Sequence, residues 1–207
     1  MAASGQRPGE GNDRSIGRTE RAAVERALTA TGKARAILDV ASGNGRWTES
    51  LTRNNGAAIV QFDLSAESLA AARGADQKAT HSFVRGDAGA LPFRPQVFDL
   101  VVCLEFLPYI TRSHGRVRAL KEMRRVSRRW VIVQYCHRQG LRFAWQRLRH
   151  RLGLEAKFPR NHLSFDQIDE ELRLAGLGLR HMFRIGGPNS RSCVVVAEAP
   201  SPEWMKS

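Results

Sequence analysis

Ile37-Leu38-Asp39-Val40-Ala41-Ser42-Gly43-Asn44-Gly45-Arg46-Trp47 decides the fold of this chain. A short apolar run ends at a carboxylate, two glycines follow within a tight turn, and a helix-like segment begins. A parallel α/β sheet builds a nucleotide-type pocket in this way, at the carboxyl end of its first strand. Glycine accepts φ > 0 and lets backbone N–H groups approach a ligand. Asp39 can face a hydroxyl or a cation.

Around this turn, strands and helices alternate. Residues 18–31 form an amphipathic helix, stopped by Gly32. Ala36 to Val40 is the first strand, and a helix from about Arg46 to Asn55 buries Trp47, Ser50 and Leu51. Ala58 to Asp63 is the second strand, and Ser65 caps a helix through Arg73. Ser82 to Arg85 is a short third strand at an edge. Phe98 to Leu104 is the fourth, apolar on both faces as a central parallel strand should be. A helix over Ser113 to Arg128 places Val117, Leu120, Met123 and Ser127 on one face, and Arg129 to Tyr135 is the fifth strand. Ser164 caps a helix from about Phe165 to Ala175, closed by Gly176. Gly178 to Ile185 and Ser192 to Ala199 end the domain as a linked pair. The pattern is an open, mostly parallel α/β sheet with an antiparallel edge.

The 207 residues fit one domain, residues 18–199, between a disordered tail over 1–17 and a C-terminal tail over 200–207. No apolar run approaches the roughly 20 residues of a membrane span. The N-terminal stretch lacks the apolar core of a secretory signal, so a cytoplasmic location is expected. Cys103, Cys136 and Cys193 stand apart in apolar runs, which excludes a disulfide framework or zinc spacing and predicts buried thiols. Net charge is +13, with 28 Arg against 5 Lys. Such an excess suits an anionic partner, although an arginine-rich codon bias produces it equally well.

Chemistry-bearing residues recur where the strands end. Asp63 lies 24 positions after Asp39 and, on the neighbouring strand, can accept both hydroxyls of a ribose. Gly86-Asp87-Ala88 can meet the edge of an adenine. Cys103, Leu104 and Glu105 close the fourth strand. A nicotinamide-type fingerprint needs a third small residue, whose place Arg46 takes.

On these residues the chain, over about 34–199, resembles the class I S-adenosylmethionine-dependent methyltransferases, with the flavour of the small ubiquinone/menaquinone-biosynthesis-like group. The Asp39-x-Ala41-x-Gly43-x-Gly45 turn looks like the family's first motif. Asp63 matches its ribose-holding acid, and Asp87 in Gly86-Asp87-Ala88-x-x-Leu91-Pro92-Phe93 matches the segment beside the adenine. Phe98-Asp99-Leu100-Val101-Val102 matches the fourth-strand motif. The resemblance implies a seven-stranded Rossmann-like sheet of order 3-2-1-4-5-7-6, last strand antiparallel, with helices on both faces. It implies S-adenosyl-L-methionine as cofactor, held by Asp39, Ala41, Gly43, Gly45, Asp63, Leu64, Asp87, Ala88, Cys103 and Leu104. Ala41 stands where the family more often has Gly; at negative φ its methyl costs little. Asp99 is expected to be structural.

Methyl transfer to a small-molecule or lipid-linked acceptor follows, by in-line displacement. Candidates for orienting or deprotonating the acceptor are Glu105, Tyr109, His137 and His162. The stretch 137–163 is a basic insertion in which Arg138, Arg142, Arg147, Arg149, Arg151, Lys157 and Arg160 surround Phe143, Trp145, Leu148, Leu152 and Leu154. It reads as a lid over an acidic substrate, a helix lying on an anionic membrane, or a solvated helix packed on the sheet. Leu104-Glu105-Phe106-Leu107-Pro108-Tyr109 replaces the Asn-Pro-Pro-Tyr type of segment that stacks an amino-bearing base, which argues against nucleic-acid bases as substrates. A non-catalytic protein that binds the cofactor or nucleic acid is the alternative. The acceptor atom, a metal and the oligomeric state leave no signature in the sequence.

Overall fold

The computed structural model describes residues 17–55, 57–76, 81–137, 162–186 and 190–200. In chain order these form α1 (Arg18–Thr31), β1 (Ala36–Val40), α2 (Thr48–Asn55), β2 (Ala58–Asp63), α3 (Ala66–Ala75), β3 (Ser82–Arg85) and β4 (Phe98–Cys103). A 3-10 turn (Leu107–Tyr109) leads to α4 (Ser113–Val126), β5 (Ser127–His137), β6 (His162–Leu163), α5 (Phe165–Leu174), β7 (Gly178–Arg184) and β8 (Ser192–Glu198).

The sheet runs β3-β2-β1-β4-β5-β8-β7. Strands β3, β2, β1, β4 and β5 run parallel to one another, while β8 runs antiparallel to both β5 and β7. The antiparallel strand therefore lies inside the sheet, and β7 forms the edge. Period-2 alternation feeds two helical layers. On one face Leu38, Val40, Val101, Val131 and Val133 pack with Leu120 and Met123 of α4 and Ile168 and Leu172 of α5. On the other, Ile37, Leu100, Val102 and Ile132 pack with Val24, Ala27 and Leu28 of α1 and Leu51 of α2. Leu100, Val101 and Val102 are all fully buried. Each such side chain contributes roughly 1.5–3 kcal/mol of burial free energy, so an apolar run serving both faces is the sequence of a central strand.

Local signals act as expected. Ser65 accepts the Ser68 N–H at 3.1 Å, and Ser164 forms a capping box with Gln167. Gly32 and Gly176 take positive φ as α1 and α5 end. Asp99 accepts the N–H groups of Arg35 and Ala36 and pairs with Arg128 at 2.7 Å, tying the starts of β1, β4 and β5. Cys103, Cys136 and Cys193 are buried free thiols, and burial pushes the Cys193 thiol up to about 12.

Three elements depart from the sequence reading. The buried face of α4 is Arg116, Ala119, Leu120, Met123 and Val126, with Val117 only half-buried. A buried arginine sets that face, because its charge is matched across α5 by Glu171. Strand β5 begins at Ser127 and continues to His137, so α4 stops two residues earlier than expected. The two residues of β6 add an eighth strand, pairing Cys136 with His162 and His137 with Leu163. Two residues are too few to show a period. His137, His162 and Leu163 thus belong to the sheet, while 138–161 and both expected tails, except Gly17 and Pro200, lie outside the described residues.

Candidate cofactor and acceptor site

Strands β1 to β4 are parallel neighbours, so their carboxyl ends share one edge of the sheet. Asp39, with 2% of its surface exposed, sits one residue before the end of β1. The turn that follows is left-handed at Ala41 (φ 58°), Gly43 (φ 59°) and Gly45 (φ 77°). Positive φ at Ala41 overturns the expectation that its methyl is cheap: an L residue there carries about 1–2 kcal/mol of steric strain.

Two contacts brace the turn against β2. Ser42 N–H donates to the Phe62 carbonyl at 3.1 Å, and Gly43 N–H donates to Asp63 Oδ2 at 2.8 Å. Asp63 Oδ1 accepts the Ser65 N–H at 2.9 Å. Asp63 is 3% exposed and holds the turn against β2. A carboxylate offers about four lone-pair positions, and these two bonds use one at each oxygen. Gly45 is needed for packing too: a Cβ there would lie 2.9 Å from Gln61 Oε1 and 3.1 Å from Thr48 Oγ1.

Beyond β2, Leu64 is an apolar side chain with 61% of its surface exposed. Gly86 packs under the Phe62 ring and donates its N–H to the Asp63 carbonyl at 3.1 Å. Asp87 is exposed, and its Oδ1 accepts the Gly89 N–H, which shapes the loop that buries Ala88. The structure therefore brings Asp39, Ala41, Gly43, Gly45, Asp63, Leu64, Asp87, Ala88, Cys103 and Leu104 to one sheet edge. The thiol of Cys103 and the side chain of Leu104 are buried there.

Glu105 follows β4 with φ 58°, a conformation sparsely populated by a non-glycine residue. Its N–H donates to Gln134 Oε1 at 3.1 Å, and its carboxylate accepts Arg46 Nη1 at 2.6 Å. Arg46 Nη2 reaches Glu20 Oε2 on α1 at 3.0 Å, and Gln134 Nε2 lies 3.5 Å from Glu20 Oε1. Burial, and then the Glu105 carboxylate, push the Glu20 carboxyl above its ordinary range, against the opposing pull of Arg46. Glu20, Arg46 and Gln134 escaped the sequence reading as site residues. One signal was present: Gln134 interrupts the apolar run Val131-Ile132-Val133, and a polar residue inside a buried strand needs a partner.

The other acceptor-side candidates separate. Tyr109 ends the 3-10 turn and is partly exposed. His137 is buried with its ring 5.1 Å from that of Phe165. Burial, Arg184 and His162 lower its basicity. At about 3.3 Å per residue it lies roughly 13 Å along β5 beyond Val133, the partner of Cys103. His162 and His137 thus belong together at the far end of β5, apart from the Glu105 cluster. Between them the structure adds a buried clamp. Arg116 Nε and Nη2 bond Glu171, Nη1 donates to the Ile110 carbonyl at 2.5 Å, and Tyr135 OH donates to Glu171 Oε2 at 3.2 Å. It fixes the segment that carries Tyr109.

A family model described as a methyltransferase domain matches residues 38–131. The magnesium protoporphyrin IX methyltransferase of Synechocystis with bound S-adenosylhomocysteine superposes with a TM-score of 0.72 at 16% identity, covering 93% of this chain and 90% of that one. Residues 38–131 are thus similar to a methyltransferase domain, on a fold shared with this solved methyltransferase. A second structure of the Synechocystis enzyme holds S-adenosylmethionine itself (TM-score 0.63, 13% identity, 93% of this chain and 87% of that one). Demethylmenaquinone methyltransferase of Thermobifida fusca is 37% identical over 107 residues, 49% of this chain and 44% of that protein. The Mycobacterium tuberculosis demethylmenaquinone methyltransferase is 37% identical over 118 residues, 57% of this chain and 45% of that protein. The matched stretch thus spans less than half the length of these relatives.

The glycine turn carries polar atoms that fit S-adenosylmethionine. Ser42 Oγ, Thr48 Oγ1 and Gln61 Oε1 are buried around the glycine turn with no hydrogen-bond partner among the described residues. Polar atoms left so cost about 1–3 kcal/mol each, and a ligand carrying amino, carboxylate and hydroxyl groups satisfies such atoms. No helix among the described residues is long and apolar enough to cross a membrane.

Proposed function

We propose that this methyltransferase moves a methyl group from S-adenosylmethionine to a small, ring-bearing acceptor of the quinol type, free or lipid-linked. The observation that carries the reading is the convergence of the four strand ends, with Glu105 standing at the β1–β4 crevice where an acceptor meets the methyl. The names of the 37%-identical relatives support the acceptor class. When bound, S-adenosylmethionine supplies a methyl already activated on a sulfonium, so the chain's contribution is orientation and exclusion of water.

In this reading Asp63 and Leu64 hold the ribose and one face of the adenine, Asp87 and Ala88 its edge, and the Asp39–Gly45 turn the amino-acid tail. Cys103 and Leu104 wall the reacting end. Glu105 accepts a hydrogen bond from an acceptor hydroxyl or takes its proton, and Tyr109 lines the entrance. His162, placed beside His137 at the far end of β5, stands apart from the methyl. The +13 net charge supports peripheral contact with an anionic membrane, where a lipid-linked acceptor would be found.

Calorimetry with S-adenosylmethionine, followed by turnover of reduced demethylmenaquinone in detergent, tests both levels. Saturable cofactor binding and a product heavier by one methylene are expected. No cofactor binding removes the whole reading; binding without turnover removes the quinol acceptor.

A further inference from the structure

The Glu20–Arg46–Glu105 cluster is larger than acceptor orientation requires. Arg46 follows the turn after β1 and Glu105 follows β4, so their 2.6 Å ion pair straddles the crevice between the first and fourth strands. Sheet order reverses there, β1 leading outward to β2 and β4 leading to β5. Extended ligands bind across such a point. Adenosine anchored toward Asp63 and Asp87 leaves the sulfur end of the cofactor on the β4 side. The second carboxyl comes from α1, through the 3.0 Å contact of Glu20 with the same guanidinium.

We propose that Glu20 and Glu105, clipped by Arg46 and Gln134, act as one carboxyl pair whose charge lets the site distinguish the cationic methyl donor from its neutral demethylated product. With both carboxyls ionised the cluster carries net −1; with one proton shared it is neutral. The donor's sulfonium bears +1 and the product's thioether none, while the two ligands share the same tail. Donor binding therefore breaks the O–H bond of the shared proton, which leaves to solvent. After transfer the attraction disappears, the pair regains a proton, and product departs. Glu20 is a positioning residue acting through Glu105. The proposal rests on the cofactor assignment above.

The charges that act on Glu20 are those of Glu105 and Arg46, and burial and the neighbouring carboxylate hold its carboxyl above the usual range. The packed elements carry other charged groups. On α2, Glu49 and Arg53 pair with each other. Arg180 of β7 pairs with Glu198 of β8, and Arg184 lies over the Phe165 ring. On α1 itself Arg26 lies over Phe183, and Arg18, Arg21 and Glu25 are charged as well; His181 of β7 stacks on the Phe183 ring, and Asp39 is buried near the end of β1.

Calorimetric titration with S-adenosylmethionine and S-adenosylhomocysteine, between pH 5 and 7 in two buffers of different ionisation enthalpy, reads this directly. Both ligands keep a protonated α-amino group over that range. In wild type the donor should release more protons than the product, and donor preference should rise about tenfold from pH 5 to pH 7. Glu20→Gln and Glu105→Gln should each flatten the preference to within twofold. The double variant should add nothing further, because both carboxyls act through the same Arg46 guanidinium. Retained S-adenosylhomocysteine affinity in Glu20→Gln shows that the variant is folded. Equal proton release for both ligands, or a Glu20→Gln profile matching wild type, overturns the proposal. Failure of wild type to bind either ligand overturns the cofactor assignment instead.

Discussion

Asp63→Ala separates bracing of the turn from ligand binding. The substitution removes two hydrogen bonds to an anion, from Gly43 N–H at 2.8 Å and Ser65 N–H at 2.9 Å. Hydrogen bonds to charged groups contribute about 1.5–3 kcal/mol each. Ser65 is half-buried and partly regains water, whereas Gly43 is buried and does not. The expected loss is therefore about 2–4 kcal/mol, not the full sum. For a domain of this size that lowers Tm by roughly 5–12 °C. Asp63→Asn keeps one carbonyl acceptor but turns an amide N–H₂ toward the other N–H, so it should fall between Ala and wild type. The assay is urea denaturation with and without S-adenosylhomocysteine. At one hundred times its Kd the ligand should stabilise wild type by about 2.7 kcal/mol, and that increment should vanish in Asp63→Ala. A ligand-free Asp63→Ala protein within 0.5 kcal/mol of wild type would refute the bracing role. An unchanged ligand increment would refute the ribose role.

Ala41→Gly should stabilise the protein by about 0.5 kcal/mol in urea melts: relief of left-handed strain exceeds the entropy that glycine adds to the unfolded chain, and a loss of stability would contradict φ 58° at this position. Arg116→Met should cost about 3–5 kcal/mol by stranding the buried Glu171 carboxylate, and Arg116→Met/Glu171→Met should regain most of it; additive losses in denaturation would rule out the pair as a unit. Asp99, Glu122 and Glu198 have carboxyls below their ordinary range, Asp99 through Arg128 and two backbone N–H groups despite its burial, Glu122 through Arg125, and Glu198 through Arg129 and Arg180. Their contribution is present above the unfolded values of 3.8 and 4.5 and is lost as pH falls through the folded ones. The urea midpoint should drop more steeply below pH 4.5 in wild type than in Asp99→Asn, and equal slopes would remove Asp99 from that account.

Much of the cofactor edge was legible because it is local. A strand, a turn and a helix cap each occupy fewer than ten consecutive residues, and their apolar periods and glycines report on backbone geometry wherever the chain folds. The Asp39–Gly45 turn, Asp63 and Asp87 come together because parallel strands joined by helices align their carboxyl ends. Ala41 shows the limit even there. Its identity was plain, yet the sign of its φ depends on how Ser42 and Gly43 are bonded to Phe62 and Asp63 on the next strand.

The sequence by itself determined the α/β class, the limits of the longer strands to within a few residues, the burial of the three thiols and the residues that gather at the carboxyl ends of the first four strands. Tertiary structure alone decided the cluster around Glu105. Glu20 and Arg46 are 26 residues apart and Arg46 and Glu105 are 59 apart, and no periodic pattern links them. Arg116 and Glu171, 55 apart, find one another only when α4 and α5 pack on β5. Periodicity records which face of an element is buried; it holds no information on which charge of one element meets which charge of another. That pairing follows from packing in three dimensions, where a buried charge must be matched, and here it places a second carboxyl beside the first.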